Sequence, residues 1–222
     1  MKKLLIIGII AFTAASAGAV EVKSYISEKI SYGITYAKNA ETYPSLIGVL
    51  MKGSDESDQV LGNKLAVGFS VPTEAIFGSV RAEFEFGVNG SSKYTIENKT
   101  VPGTSLDAKF KSQTYMLNAY YDVETGSAFV PYIGAGAGFA KIDGSTSFSG
   151  STVDFDQNKF TWNAGLGVAY SINDNLSLDI GYRYASLGTV KGATYHVGSG
   201  NYITEKATLS SHEVLLGARY EF

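Results

Sequence analysis

The chain has 222 residues, with 25 Gly, 15 Tyr and 12 Phe, only 4 Pro, no Cys and a formal charge of −3. Charge this close to balance gives no basic face for nucleic acid. The absence of cysteine excludes a disulfide framework and lipid attachment at a processed N-terminus, so stability must come from closure of the fold or from a bilayer.

The first stretch reads as an export leader. Lys2 and Lys3 make a positive start, Leu4 to Ala15 is an apolar run, and Ala17-Gly18-Ala19 matches the small-x-small cleavage pattern, which puts the mature start at Val20. The apolar run is about 12 residues, short of the roughly 18 that a membrane anchor needs. The expected organisation is a signal peptide at 1–19 and one domain at 20–222, a length that suits a single barrel.

After the leader no helical period recurs. What recurs is alternation, the period of strands whose successive side chains point to opposite faces. Eight such segments follow: Lys29–Ala37, Lys64–Val71, Ser79–Val88, Thr114–Val123, Tyr132–Ile142, Lys159–Ile172, Leu176–Tyr184 and Thr208–Phe222. In the first, Ile30, Tyr32, Ile34 and Tyr36 alternate with Ser31, Gly33 and Thr35. The fifth sets Ile133, Ala135, Ala137 and Phe139 against Gly134, Gly136 and Gly138. Most reach about nine residues or more, enough for a tilted strand to cross a bilayer.

The connections alternate between short (Pro72–Phe77, Glu124–Pro131, Asn173–Asn175) and long and polar (Lys38–Asn63, Asn89–Gln113, Asp143–Asn158, Leu187–Ala207). An antiparallel up-and-down transmembrane β-barrel of eight strands produces this order, with brief periplasmic turns, long surface loops and both mature termini in the periplasm. The arginines separate this reading from a soluble barrel. Arg81, Arg183 and Arg219 all share the phase of the glycines, serines and threonines. An arginine turned to lipid at the midplane would cost about 2–4 kcal/mol, so that phase faces the lumen. Glu83, Glu85, Asp179 and Glu213 share it and supply the opposite charges of an interior ion network. Neighbouring strands suggest the pairs Asp179–Arg219 and Arg183–Glu213. On the apolar face, Tyr36, Phe139, Trp162 and Tyr184 are expected to mark the outer interface, and Tyr121, Tyr170, Tyr220 and Phe222 the inner one.

Pro131-Tyr-Ile-Gly-Ala-Gly-Ala-Gly-Phe-Ala140, Leu178-Asp-Ile-Gly-Tyr-Arg-Tyr184 and the ending Leu215-Leu-Gly-Ala-Arg-Tyr-Glu-Phe222 resemble the outer-membrane β-barrel superfamily that holds the OmpA transmembrane domain and the opacity-type surface antigens. The resemblance spans the mature chain and rests on scaffold features. It implies a bacterial outer-membrane location, contact with outer-membrane lipid, and an assembly signal at Phe222 and Tyr220 read by the outer-membrane assembly machinery. One departure is expected from the ending at Phe222, that the peptidoglycan-binding domain many OmpA proteins carry does not follow the barrel.

An eight-stranded barrel is filled by its own side chains, which argues against a general diffusion pore. The leading expectation is a non-enzymatic surface protein without cofactor, presenting four loops for adhesion, antigenic exposure or envelope integrity, with a host or envelope ligand at the loops. Leu46 to Met51 is an unusually apolar run for the first loop, read as rim packing rather than a partner patch. The rival class is a lipid-directed hydrolase, since Ser210 and His212 fall two apart on the outward phase; an orienting acid and an oxyanion hole are not recognisable. His196 has no metal-ligand companions in its loop. A narrow gated channel would require the interior charges to separate.

Overall fold

A computed structural model describes residues 22–44, 51–52, 56–73, 77–97, 105–148, 151–197 and 201–222. The expected leader, and the run from Leu46 apart from Met51, lie outside them. Alternation yields strands: β1 (Lys23–Pro44), the two-residue β2 (Met51–Lys52), β3 (Glu56–Thr73), β4 (Gly78–Glu97), β5 (Ser105–Val123), β6 (Phe129–Phe148), β7 (Ser151–Ser171), β8 (Leu176–Val197) and β9 (Asn201–Glu221). β1 pairs with β3, each later strand pairs antiparallel with the next, and β9 returns to β1, so eight long strands close a barrel; β2 adds two residues beside the far end of β1.

Closure has a measurable stagger. Stepping across paired residues from Tyr25 leads through Gly68, Glu83, Asn118, Gly136, Asn163, Ala185 and Ser211 and returns to β1 at Thr35, ten residues further along. A shear of ten on eight strands corresponds to a tilt of about 40° and a bore that side chains can fill.

The strands are longer than the alternation suggests, at 18 to 22 residues. Twenty residues at that tilt rise about 50 Å, roughly twice the apolar band of such a barrel. Much of each segment expected as a long loop is therefore strand continuing beyond the band, and His196 lies in β8 opposite Tyr202. The physical reason is that a ladder needs only a neighbouring backbone; once the outward face turns polar, the side chains no longer advertise it. One end of the barrel carries these four hairpins, and the other carries the short turns with residues 22 and 222. At the turn end, Asn173 Oδ1 accepts the Asn175 and Leu176 amides at 3.0 and 2.8 Å, a side-chain-closed turn between β7 and β8.

Outward positions carry the large apolar side chains, among them Ile30, Leu65, Leu117, Ile133, Leu166 and Leu216, all exposed. Inward positions divide by height. The turn-end half of the lumen is ionic. Towards the hairpins, Ala37, Tyr94, Ala140, Ile142, Leu187, Val190, Ala207 and Leu209 pack into an apolar cap, with Phe110 against it. Tyr94, Leu187, Val190 and Ala207 of this cap lie in the long polar connections, where alternation does not reveal an inward face.

Candidate functional site

The inward phase of eight strands converges on one enclosed ionic core. Ten charged residues are buried among the described residues: Lys29, Lys64, Arg81, Arg183 and Arg219 against Glu83, Glu85, Asp122, Asp179 and Glu213. Five positive and five negative groups leave the lumen neutral, which is the condition under which burial of charge is tolerated.

The centre is built on β4. Glu83 accepts hydrogen bonds from Lys29 at 2.7 Å, Tyr120 at 2.9 Å, Tyr25 at 3.0 Å and Asn118 at 3.2 Å. Glu85, with no exposed surface, receives the Arg183 guanidinium as a fork at 2.6 and 3.0 Å and Lys29 at 3.1 Å. Lys29 thus joins the two carboxylates, and Arg183 of β8 reaches across the bore. Towards the turn end, Arg81 forks onto Asp122 at 2.6 and 2.8 Å and lies against the Tyr120 and Tyr132 rings, 4.6 and 5.2 Å from their centroids. Arg219 lies 3.9 Å from Asp122 and 3.2 Å from Glu221, neither contact aligned as a hydrogen bond. Towards the cap, Lys64 meets Glu213 at 3.2 Å and donates to Ser31 at 3.1 Å.

Glycines make room for this core. A side chain at Gly167 would meet the Tyr132 ring at 2.5 Å, and one at Gly134 would run into the Tyr120 ring. Aromatic rings lying over strand glycines hold the tyrosine hydroxyls and ring faces where the ions need them.

All seven residues expected in the lumen network, Arg81, Glu83, Glu85, Asp179, Arg183, Glu213 and Arg219, are buried there. The two lateral pairs are not formed. Arg183 does oppose Glu213 in register, but its fork turns to Glu85 while Glu213 meets Lys64; Asp179 opposes Gly217, and Arg219 opposes Ser177. Inward side chains on a tightly curved wall converge on the axis, so a carboxylate on a distant strand competes with one next door. Lys29, Lys64, Asp122 and the tyrosines were missed, although Lys29 and Lys64 share the inward phase of Ser31 and Ala66 and could have been found by it.

A cavity of about 30 Å³, lined by Ser31, Asn89, Ser92, Tyr94 and Glu213 among others, lies between the ions and the cap. That is room for about one water molecule. On the outer wall His212 Nδ1 meets the Tyr182 hydroxyl at 2.5 Å and its ring packs against Tyr184 and Tyr36, with centroids 5.2 and 5.6 Å apart. Ser210 is nearly buried beside it. The arrangement is that of an aromatic interface, and no carboxylate is hydrogen-bonded to His212 among the described residues. Nor do those residues contain a group of three or more His, Cys, Asp or Glu placed to hold a metal.

Beyond the band, burial pushes the Tyr94 phenol up to about 12, and the hydroxyl donates to the Thr35 carbonyl at 3.2 Å. Lys141 bridges Asp156 at 3.0 Å and Asp143 at 3.5 Å on the outer surface of β6 and β7, and both carboxylates hold its ammonium above the ordinary lysine value.

The outer membrane protein PagN of Salmonella typhimurium is 35% identical over 117 residues, 49% of this chain and 49% of that protein. The matched part therefore spans about half the length of the first curated relatives. A Rickettsia felis protein named as a candidate adhesin is 22% identical over 236 residues, covering 100% of both chains. Among solved structures, Neisserial surface protein A is 21% identical with a TM-score of 0.49, over 90% of this chain and 97% of that one. The family model described as the outer membrane protein beta-barrel domain matches residues 4–222, and the chain belongs to that family.

Proposed function

We propose that this small outer-membrane barrel is a non-enzymatic surface anchor, whose hairpins stand outside the cell and make contact with a host or envelope ligand. The observation that carries the reading is the doubly closed lumen, with a charge-neutral ionic core below an apolar cap and a cavity of about one water between them. Among the described residues, a barrel filled in this way leaves no conduit for solutes, which makes the projecting hairpins the working surface. The name of the Rickettsia felis relative supports adhesion as the contact. In this reading the leader at 1–19 directs export, the turn end and both mature termini are periplasmic, and Phe222 with Tyr220 serves as the signal for the assembly machinery. Both rings are exposed on the outer wall at the turn end, and the Phe222 amide is tied to the Ser24 carbonyl at 2.9 Å.

The test is display of the whole chain on a non-adherent bacterium, beside versions whose hairpins are trimmed to the level of the band. Cell attachment should appear with the whole chain and fall with trimming, and the purified barrel should give no pore-like conductance in a planar bilayer. Attachment that survives trimming of all four hairpins, or steady conductance, would overturn the proposal.

A further inference from the structure

The outer wall breaks its own rule at one place. On β1 the outward positions run Ile26, Glu28, Ile30, Tyr32 and Ile34, so a carboxyl group stands in the lipid-facing row. Its cross-strand neighbours are Leu65 of β3 and Ala218 of β9. Asn63, also outward, opposes Ile30 on one side and Val88 on the other, and its Nδ2 donates to Glu28 Oε1 at 2.9 Å.

Depth makes this informative. Ile26 opposes Tyr220 at the turn-end belt, and Glu28 is one outward position deeper. A carboxyl seeking water would turn back towards that belt. This one is tied to Asn63, which lies nearer the hairpin end, and so points along the wall into the apolar band. Ionisable groups facing hydrocarbon are rare and mark a partner that satisfies them.

We propose that Glu28 and Asn63 form the centre of a face through which two copies of this chain associate side by side in the membrane. The pair is self-complementary. Asn63 has a second N–H and Glu28 a second oxygen, neither bonded among the described residues, and the existing hydrogen bond holds donor and acceptor at one depth. The axis of a symmetric pair in a bilayer runs along the membrane normal, so groups at equal depth meet. Asn63 can then donate to the partner's Glu28 while the reciprocal bond forms, which is the closed contact of a two-fold dimer. Beside the pair lies a groove of about 400 Å³, lined by Ile26, Leu65, Val67, Phe84, Ala218 and Tyr220, able to receive apolar side chains of the second copy.

Because the chain has no cysteine, single cysteines report unambiguously. Leu65→Cys lies at the proposed contact, and Ala135→Cys lies on β6, three strands from β3 and four from β1, on the far wall. The full chain carrying either would be placed in phosphatidylcholine vesicles and treated with a bis-maleimide. A dimer is expected from Leu65→Cys and not from Ala135→Cys, with its yield at limiting protein density reduced about tenfold by Asn63→Leu or by Glu28→Leu. The shifted band on unboiled electrophoresis would show that each variant is folded. Equal yields at both cysteines would mean random collision, no cross-link at any protein-to-lipid ratio would mean that lipid covers the face, and undiminished yield in folded Asn63→Leu would remove the polar pair from the contact; each would overturn the proposal.

Discussion

If the lumen is a dry ionic seal, the Arg183–Glu85 fork should be strongly coupled, and a double-mutant cycle can measure it. Arg183→Met leaves Glu85 sharing Lys29 with Glu83, at 3.1 and 2.7 Å. Glu85→Leu leaves the Arg183 guanidinium donating to the Tyr120 hydroxyl at 3.3 Å. Breaking a buried pair costs about 3–5 kcal/mol, and because Lys29 softens the first case each single change should cost about 3 kcal/mol. The double variant, which restores neutrality, should cost about as much as either single one, giving a coupling of about 3 kcal/mol. Urea unfolding in lipid vesicles would read this through Trp162, the one tryptophan in the chain, which sits on the outer wall. The parallel cycle on Arg183 and Glu213, neighbours in register without a bridge, should give less than about 1 kcal/mol. Additivity within about 0.5 kcal/mol for Arg183 and Glu85, or a larger coupling to Glu213, would refute the cross-lumen seal.

Gly167→Ala should destabilise the barrel by about 1–3 kcal/mol, because the new methyl meets the Tyr132 ring at 2.5 Å; unchanged urea unfolding would show that the ring is not seated there. Deleting Phe222 should lower the amount of folded protein in the outer membrane more than it lowers the stability of barrel refolded in detergent, and normal membrane levels would remove the assembly-signal assignment. Tyr94 has a folded value of about 12 against an ordinary 10, so its contribution is complete below pH 10 and is lost as pH rises towards 12, the unfolded chain ionising first. Tyr94→Phe should flatten the loss of stability across that window, and identical alkaline unfolding profiles would contradict the assignment.

What was legible in the sequence follows the reach of alternation. Where one face meets lipid and the other the lumen, as from Leu176 to Tyr184, a two-residue period identifies both faces, and the buried class of Asp179 and Arg183 follows from it. Beyond the band the outward face turns polar and the inward face keeps only scattered apolar residues, such as Tyr94, Leu187 and Val190, so the backbone period leaves little trace in hydrophobicity. The hairpin extensions and the apolar cap were lost for that reason. Pairing was lost for another. Register between adjacent strands predicts lateral neighbours, whereas Arg183 meets Glu85 across the bore, a distance set by closure and shear rather than by any local spacing. Glu28 stands just outside the first alternating segment, which runs from Lys29, so its place in the lipid-facing row shows only in the closed barrel.

The glycines on the inward phase connect the seal to the journey the chain must make. A protein bound for the outer membrane has to pass the inner one without lodging there, and a stretch of roughly 18 apolar residues would lodge. The longest charge-free run after the leader leads into β6, where no charge falls between Glu124 and Lys141, a span of sixteen residues. Filling its inward positions with leucine or valine would close the lumen by bulk, but would bring this stretch close to a spanning helix in hydrophobicity. Gly134, Gly136 and Gly138 avoid that, at the cost of leaving the wall bare. The neighbouring strands then fill the space from the side, with Tyr120 over Gly134 and Asn118 over Gly136. These are the same two residues whose polar groups reach Glu83. The ionic core is thus what a barrel can use to fill its bore when the wall that faces it must stay thin and only weakly apolar.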